Sequence, residues 1–377
     1  MSKRGDKKNV YLLGASSLLN DMGSEMITPI LPFFIQSLGG GGLATGLISG
    51  LREGLSSLLK LIGGWLSDKK GSRLGIVFFG YIMSAILKLF IGIAQTSTQI
   101  IGFVSLERVG KVRDAPRDAI IARMKGKNGH YFGLHEMFDK LGGVLGTIIV
   151  LLLFWTLNLD FRTITIIAAG ISMFSIIPLF MVKDKQTKKI KTNLFQSIKK
   201  LELNLKVTVL LLAFFALANF GLYMFFLLRV KEITGSATIP LVLYALFNLI
   251  IAIFAKRIGK YSDIWSKRKI IISGYILFSI ICISFVFINN ILLLTIFFAL
   301  YGVVIAMTEP VQRSLIAEIS GKEKGTAIGL YYFSIGIATV IGGVIAGYLW
   351  DISPSIMYYY LATLGIIFTI AFYKYTK

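Results

Sequence analysis

Cysteine is almost missing from this chain: Cys282 is the single one among 377 residues. That excludes an intrachain disulfide and any CxxC site. Histidine is nearly as scarce, with His130 and His135 alone. A metal site would need both to converge with acids from other segments, and we expect no bound metal and no cofactor. No phosphate-binding loop of the GxxxxGK[ST] type occurs, so the chain has no ATP-driven motor of its own. No nucleophile–base arrangement stands out, and we do not expect an enzyme. Charged residues make up only 16% of the sequence, and acids are the scarcer sign, 19 against 40 Lys and Arg.

What fills the space is apolar: 55% of residues are hydrophobic, and the mean hydropathy is +0.75. A membrane helix needs roughly 20 mostly apolar residues. The apolar runs here are too long and continuous for barrel strands, which alternate at period two. Helices are the other way to satisfy a backbone in lipid. We therefore expect an all-α membrane protein with twelve transmembrane helices in two pseudo-symmetric six-helix bundles. The first six spans fall at about 10–37, 43–66, 74–95, 99–122, 131–156 and 163–182. The second six fall at about 206–230, 238–258, 270–288, 291–317, 325–349 and 355–373. The run that starts near Val10 is too long for a signal-peptide core, and we read it as a retained first span.

The chain is organised around Gly63-Gly64-Trp65-Leu66-Ser67-Asp68-Lys69-Lys70-Gly71-Ser72-Arg73, a short polar hinge between spans two and three. A second copy stands about half a chain later, Gly259-Lys260-Tyr261-Ser262-Asp263-Ile264-Trp265-Ser266-Lys267-Arg268. Each reads as a small residue, two spacers, Ser-Asp and a basic cluster. Further pairs keep nearly the same offset: Ala115-Pro116-Arg117-Asp118 with Glu309-Pro310-Val311-Gln312-Arg313, and Gly133-Leu134 with Gly329-Leu330. The repeat predicts bundles over 1–182 and 206–377, joined by a lysine-rich linker over 183–205.

A net charge of +21 would suggest nucleic acid on a soluble protein. Here the basic residues concentrate in loops on one side, the pattern of cytoplasmic loops, and we expect no nucleic-acid partner. An even number of spans puts both termini in the cytoplasm, with the chain in the cytoplasmic membrane and anionic headgroups beside its loops.

Charges inside the spans are costly and tend to face the bundle interior. The first half holds eight such acids: Asp21, Glu25, Glu53, Glu107, Asp114, Asp118, Glu136 and Asp139. It also holds eight bases: Arg52, Lys60, Lys88, Arg108, Lys111, Arg113, Arg117 and Lys140. Half two has little more than Arg229, Glu309 and Arg313. Equal counts fit ion pairs that lock helices together. The functional alternative is a substrate or proton site at Asn20, Asp21, Glu25, Arg52, Glu53, Glu107 and Arg108. Asp21 and Glu25 lie one helical turn apart on one face. Two such acids resist double ionisation and can share a proton. In half two, Asn219 and Tyr223 stand in an aromatic wall with Phe214, Phe215, Phe220, Phe226, Tyr244, Tyr331 and Tyr332, suited to an amphipathic, cationic solute.

The hinge at Gly64, Asp68, Lys69, Gly71 and Arg73, with its copy around Asp263, resembles the loop signature of the major facilitator superfamily. Arg108 with Gly110 resembles that superfamily's fourth-helix motif. Within it, the chain resembles a prokaryotic branch that shares Asp21-x-x-Ser24-Glu25-Met26-x-x-Pro29-x-Leu31-Pro32, Arg113, Ala115-Pro116-Arg117-Asp118 and Phe132-Gly133-Leu134-His135-x-x-x-Asp139. Two positions depart from that branch: Val112 replaces a frequent Gly, and Thr147 stands where a Gly-Pro pair is typical. The resemblance implies secondary transport by alternating access, with Asp68, Arg113 and Asp114 among the groups that steady a closed state. The mid-depth charge cluster, not the resemblance, points to proton-linked export of a small amphipathic solute, with Asp21, Glu25 and Glu53 carrying or gating protons and Arg52 and Arg108 as countercharges or anion contacts; the two departures weaken the case for drug–proton antiport. The alternatives are uptake of an organic anion held by Arg52, Arg108 and Lys88, and a receptor or scaffold that binds without transport. A monomer is sufficient for transport of this kind.

Overall fold

The computed structural model describes residues 3–70, 73–122, 128–184, 201–320 and 324–375. Every regular element among them is a helix, the outcome that lipid imposes on backbone hydrogen bonding. In chain order the α-helices are α1 (Lys3–Ile27), α2 (Leu31–Ser37), α3 (Gly42–Lys70), α4 (Leu74–Ile93), α5 (Ser97–Glu107), α6 (Asp114–Ala122), α7 (Asn128–Trp155) and α8 (Phe161–Phe174). They continue with α9 (Leu203–Phe215), α10 (Tyr223–Thr234), α11 (Thr238–Ile264), α12 (Lys267–Phe287), α13 (Ile291–Ile319), α14 (Lys324–Ile352) and α15 (Pro354–Tyr375). These helices group into twelve successive spans.

Eight spans are long and apolar enough to cross a membrane by composition alone. The other four are α1–α2, α3, α5–α6 and α9–α10, which carry the charges or the breaks. Each break has a local cause. Pro29 and Pro32 bracket the turn between α1 and α2, with Pro32 in the first turn of α2. The fourth span tightens to a 3-10 helix over Arg108–Arg113. Pro116 follows inside the first turn of α6, where a missing N–H costs least. In the sixth span Pro178 opens a 3-10 turn over Ile177–Met181. In the seventh, α9 and α10 are separated by an irregular segment in which Gly221 takes φ +90°, a conformation other residues reach only under strain.

The chain packs as two compact units, Met1–Gly39 with Leu55–Thr192, and Gly40–Gly54 with Asn193–Lys377. Helix α3 is therefore shared, its first part in the second unit and the remainder in the first.

In the first unit α1 is held by close backbone approaches. Gly142 of α7 abuts the Leu18 carbonyl, Gly146 the Met22 carbonyl, and Gly23 faces the Ala168 carbonyl of α8. Small residues at such crossings let helices gain dispersion energy where lipid offers no hydrophobic drive. Helix α4 buries two polar residues, Ser84 and Lys88, among apolar neighbours such as Val77, Ala85 and Ile91, while Ile82, Ile86, Phe90 and Ile93 are exposed. An apolar outer face is what a hydrocarbon solvent favours.

In the second unit, Gly42, Gly46, Gly50 and Gly54 recur every fourth residue of α3 and pack on α14. A Cβ at Gly50 would lie 2.5 Å from the Thr339 carbonyl, and one at Gly54 2.5 Å from that of Gly336. Gly46 and Gly343 each abut the other's carbonyl. The Asp351 carboxylate caps this end of α3, accepting from Gly42 N at 2.5 Å and Leu43 N at 2.8 Å, where the helix dipole favours a negative charge.

Gly46→Val places side-chain atoms into the Gly343 backbone and lowers the melting temperature in detergent by several degrees or prevents folding. Gly102→Ala, at a helix position with open space around it, leaves that temperature unchanged or slightly raised. At the start of α8 the Asp160 carboxylate accepts from Thr163 N at 3.3 Å. It is held below the usual carboxylate range, first by the Thr163 side chain and, after a small opposing desolvation, by backbone N–H groups. Asp160→Ala costs about 1 kcal/mol, the usual value of a helix cap. Because the folded-state pKa is depressed, this contribution is complete above the ordinary Asp value and is lost as pH falls through the folded value. The difference between wild type and variant melting curves therefore shrinks in acid.

Candidate functional site

The first unit holds a buried polar chain across α1, α4 and the end of α5. Lys88 is at its centre and is 1% exposed. Its Nζ donates to Asn20 Oδ1 at 3.0 Å, to the Asn20 carbonyl at 3.3 Å and to Ser84 Oγ at 3.1 Å. The Ser84 hydroxyl donates in turn to Glu107 Oε1 at 2.5 Å. Glu107 also faces Lys88 Nζ at 3.9 Å and holds Arg108 Nη2 at 2.5 Å. At the other end Asn20 Nδ2 donates to Asp21 Oδ1 at 3.3 Å. Spacing explains the assembly: Ser84 and Lys88 are one turn apart on α4 and share a face. Asp21 and Glu25 are half-buried one turn apart on α1, and Glu25 Cγ lies opposite Gly143 of α7.

A second cluster occupies the 3-10 segment and the start of α6. Gly80 and Gly110 approach so closely that a Cβ on either would lie about 2.5 Å from the other's carbonyl. Arg113 seals the crossing. It is 1% exposed, donates to the carbonyls of Gly110 at 2.9 Å and Gly80 at 3.4 Å, and stacks over Tyr81 at 4.4 Å. Asp114 lies among three cations, 3.7 Å from Arg117 and 3.9 Å from both Lys111 and Arg113. The hinge end of α3 packs here: Gly63 abuts the Val112 carbonyl and Gly64 faces Ala115. Lys69 lies over the Trp65 ring at 4.8 Å, and Arg73 Nη1 reaches the Ala119 carbonyl at 3.5 Å. Gly71 and the side chains of Asp68 and Asp263 lie outside the described residues.

The second unit offers amides, hydroxyls and rings instead of ion pairs. Asn219 and Tyr223 flank the break in the seventh span. Tyr301 OH donates to Asn219 Oδ1 at 2.5 Å, and Tyr223 lies 5.6 Å from Tyr244 and 6.2 Å from Phe247, ring to ring. Ser49 of α3 donates to the carbonyls of Gly221 at 2.7 Å and Phe220 at 3.1 Å, two groups the break frees. Glu53, one turn further on, is exposed and has its Cγ near Gly221, whereas Arg52 is buried. A neutral triad lies apart from these: Tyr331 OH donates to Gln312 Oε1 at 2.6 Å, and Gln312 Nε2 to Tyr275 OH at 3.0 Å.

Of the sequence-chosen residues, Asn20, Asp21, Glu107 and Arg108 come together in one chain, and Asn219 joins a hydroxyl network. Arg52 and Glu53 pack in the other unit. The choice passed over Ser84, Ser49 and Tyr301 and weighed Lys88 as one of the paired bases or as an anion contact, not as a site residue. Ser84 and Lys88 at i and i+4 in an otherwise apolar run was the available signal. Ser49 had none, because its partners are carbonyls freed by a break some 170 residues away.

Glu107→Gln leaves both Lys88 and Arg108 without the acid they engage and costs about 3 to 5 kcal/mol of stability. Lys88→Met costs less than half as much, because Arg108 still neutralises Glu107. The two changes combined cost less than their sum in a double-mutant cycle of denaturant unfolding.

Known proteins agree with this architecture. The sequence profile of the Major Facilitator Superfamily matches residues 13–258 and 209–377. An uncharacterised MFS-type transporter of Methanocaldococcus jannaschii is 40% identical over 370 residues, spanning 96% of this chain and 93% of its own. The multidrug resistance protein MdtH of Salmonella paratyphi C is 25% identical, over 94% of this chain and 90% of its own. Among solved structures, the nucleoside transporter NupG superposes with TM-score 0.80 at 11% identity, covering all of both chains. A bacterial homologue of the lysosomal transporter Spinster superposes with TM-score 0.78 at 13% identity, over all of this chain and 98% of its own. With a twelve-span, all-helical fold and a family profile that runs its whole length, this chain belongs to the Major Facilitator Superfamily of multi-pass membrane transporters.

Proposed function

We propose that this transporter exports a small amphipathic organic solute across the cytoplasmic membrane in exchange for protons, by alternating access, with both termini in the cytoplasm and a monomer as the working unit. Its partners on this reading are the solute, protons and the lipid bilayer. The carrying observation is the buried chain from Asp21 through Asn20, Lys88, Ser84 and Glu107 to Arg108. Such groups are expensive in a membrane and mark ion or substrate paths. Asp21, Glu25 and Glu53 carry protons; Arg108 and Arg52 are countercharges. The rings of Tyr223, Tyr244 and Phe247 offer faces for an apolar or cationic body. The likeness to MdtH, named for multidrug resistance, supports the outward direction.

A specific observation favours one other reading. Two cations, Lys88 and Arg108, lie buried together at Glu107, a grouping of charged donors of the kind that binds a carboxylate.

The test is uptake of tetraphenylphosphonium into inside-out vesicles under an imposed pH gradient. Wild-type protein accumulates the cation, and Asp21→Asn with Glu25→Gln reduces the rate at least about tenfold, a change of about 1.4 kcal/mol in barrier. Unchanged flux in the double variant overturns the proton role. Counterflow of labelled benzoate without any movement of tetraphenylphosphonium favours the anion reading.

A further inference from the structure

A second titratable cluster lies in the first unit, beyond the residues given roles above. His135 and Asp139 are one turn apart on α7, with Nδ1 3.4 Å from Asp139 Oδ2. His135 is 4% exposed. Its other ring nitrogen, Nε2, is buried and has no hydrogen-bond partner among the described residues. Asp139 keeps about a fifth of its side chain exposed, but its Oδ1 is buried, so the pair is dry on the imidazole side and only partly open at the carboxylate.

The surroundings come from three elements that pack against α7. From α1, Ser17 stands beside Asp139, and Asp21, one turn further along, lies within electrostatic reach of both members of the pair. Glu25 follows after another turn. From α6, Arg117 donates to Ser17 Oγ at 3.0 Å while holding Asp118 at 3.0 Å and Asp114 at 3.7 Å. From α8 the one charged residue is Arg162, at its beginning. On α7 itself Glu136 and Lys140 pair with each other at 3.5 Å on the exposed side. Further along α7, Gly142 and Gly146 close against the α1 backbone, so the seam beyond the pair has no room for water.

We propose that His135 and Asp139 form a proton-binding pair whose state is read by Arg117. The pair takes one proton from water and returns it, moving between one net negative charge and none; only N–H and O–H bonds form or break. When the pair is negative it attracts Arg117 through Ser17 toward α1 and α7. When it is neutral, Arg117 turns its full charge to Asp114 and Asp118 at the start of α6, beside the Gly63–Gly64 end of α3. Proton binding thereby reaches the hinge region through one guanidinium. The inference deepens the proton-coupled reading and rests on it for its purpose, but its chemistry can be tested without any transported solute.

The chain has two histidines, so histidine-selective NMR of the purified protein in micelles gives two ring signals, and His135→Gln assigns them. In wild type the His135 signal titrates. In Asp139→Asn, where the carboxylate no longer favours the imidazolium, its midpoint falls by about one pH unit or more. Lys140→Gln, a change on the exposed side, leaves it in place. If Asp139→Asn does not fold, infrared difference spectra of the wild type decide: the histidine and carboxyl bands change together over one pH interval. A His135 signal indifferent to Asp139→Asn, or carboxyl and ring bands that change in separate intervals, overturns the pair. A wild type that carries no tetraphenylphosphonium counts against export alone and leaves the pair standing.

Discussion

A lipid interior supplies no hydrogen bonds, and this fold is built around that deficit. Several buried polar side chains of the first unit each serve two or more neighbours. Ser84 accepts from Lys88 and donates to Glu107; Arg113 serves two carbonyls and a ring; Arg117 reaches Ser17, Asp114 and Asp118. Buried ion pairs barely repay their desolvation, and an apolar replacement of similar volume often matches or exceeds their stability. Stability alone therefore gives little reason to keep Lys88, Glu107 and Arg108 inside a span.

The same deficit governs the backbone. Unwinding a helix frees carbonyls and N–H groups, and in a membrane these must be taken up by protein or cavity water. At the break before α10, Ser49 takes the Phe220 and Gly221 carbonyls. At the 3-10 segment Arg113 takes the Gly110 carbonyl. Both breaks sit beside polar groups of the candidate site: Glu107 and Arg108 at one, Asn219 and Tyr223 at the other. A break costs hydrogen bonds, yet it orients side chains away from a helical repeat, and the two effects coincide here.

Much of this was legible before any coordinates. Hydropathy marks eight of the spans outright, because roughly 20 apolar residues are needed for each crossing; the other four, with their charges and breaks, follow from the two-fold repeat. The lopsided charge between halves foretells ion pairs in one unit and a hydroxyl–amide–ring network in the other. Asp21 with Glu25 and Ser84 with Lys88 are readable as faces because helical period ties them locally. Contacts between distant segments are not readable that way. Asn20 with Lys88 joins spans one and three, Ser49 with Gly221 joins spans two and seven, and Tyr301 with Asn219 joins spans ten and seven. Periodicity says which face a residue occupies but not which helix lies opposite. Breaks are half-legible: Pro29 and Pro32 announce the one between α1 and α2, Pro178 the one in the sixth span, and Pro116 the neighbourhood of the 3-10 segment, whose start at Arg108 has no such marker.

Helix α3 brings these themes together. Its glycines at 42, 46, 50 and 54 bind its first part to α14, and its Gly63 abuts the Val112 carbonyl of the 3-10 segment. Between these attachments the helix is continuous, and a continuous α-helix transmits axial displacement and rotation with little loss. Arg52 and Glu53 sit at the edge of the part that packs with the second unit, one residue before its last glycine contact. Arg52 and Glu53 therefore stand on the same continuous helix as the Gly63–Gly64 end that packs on the 3-10 segment. The glycine spacing makes the first part of α3 tight: backbone meets backbone at Gly46 and Gly343, the side chains of Trp350, Val340 and Thr339 close around it, and the Asp351 carboxylate accepts from the first N–H groups of α3, so the dispersion gained is that of short-range contact.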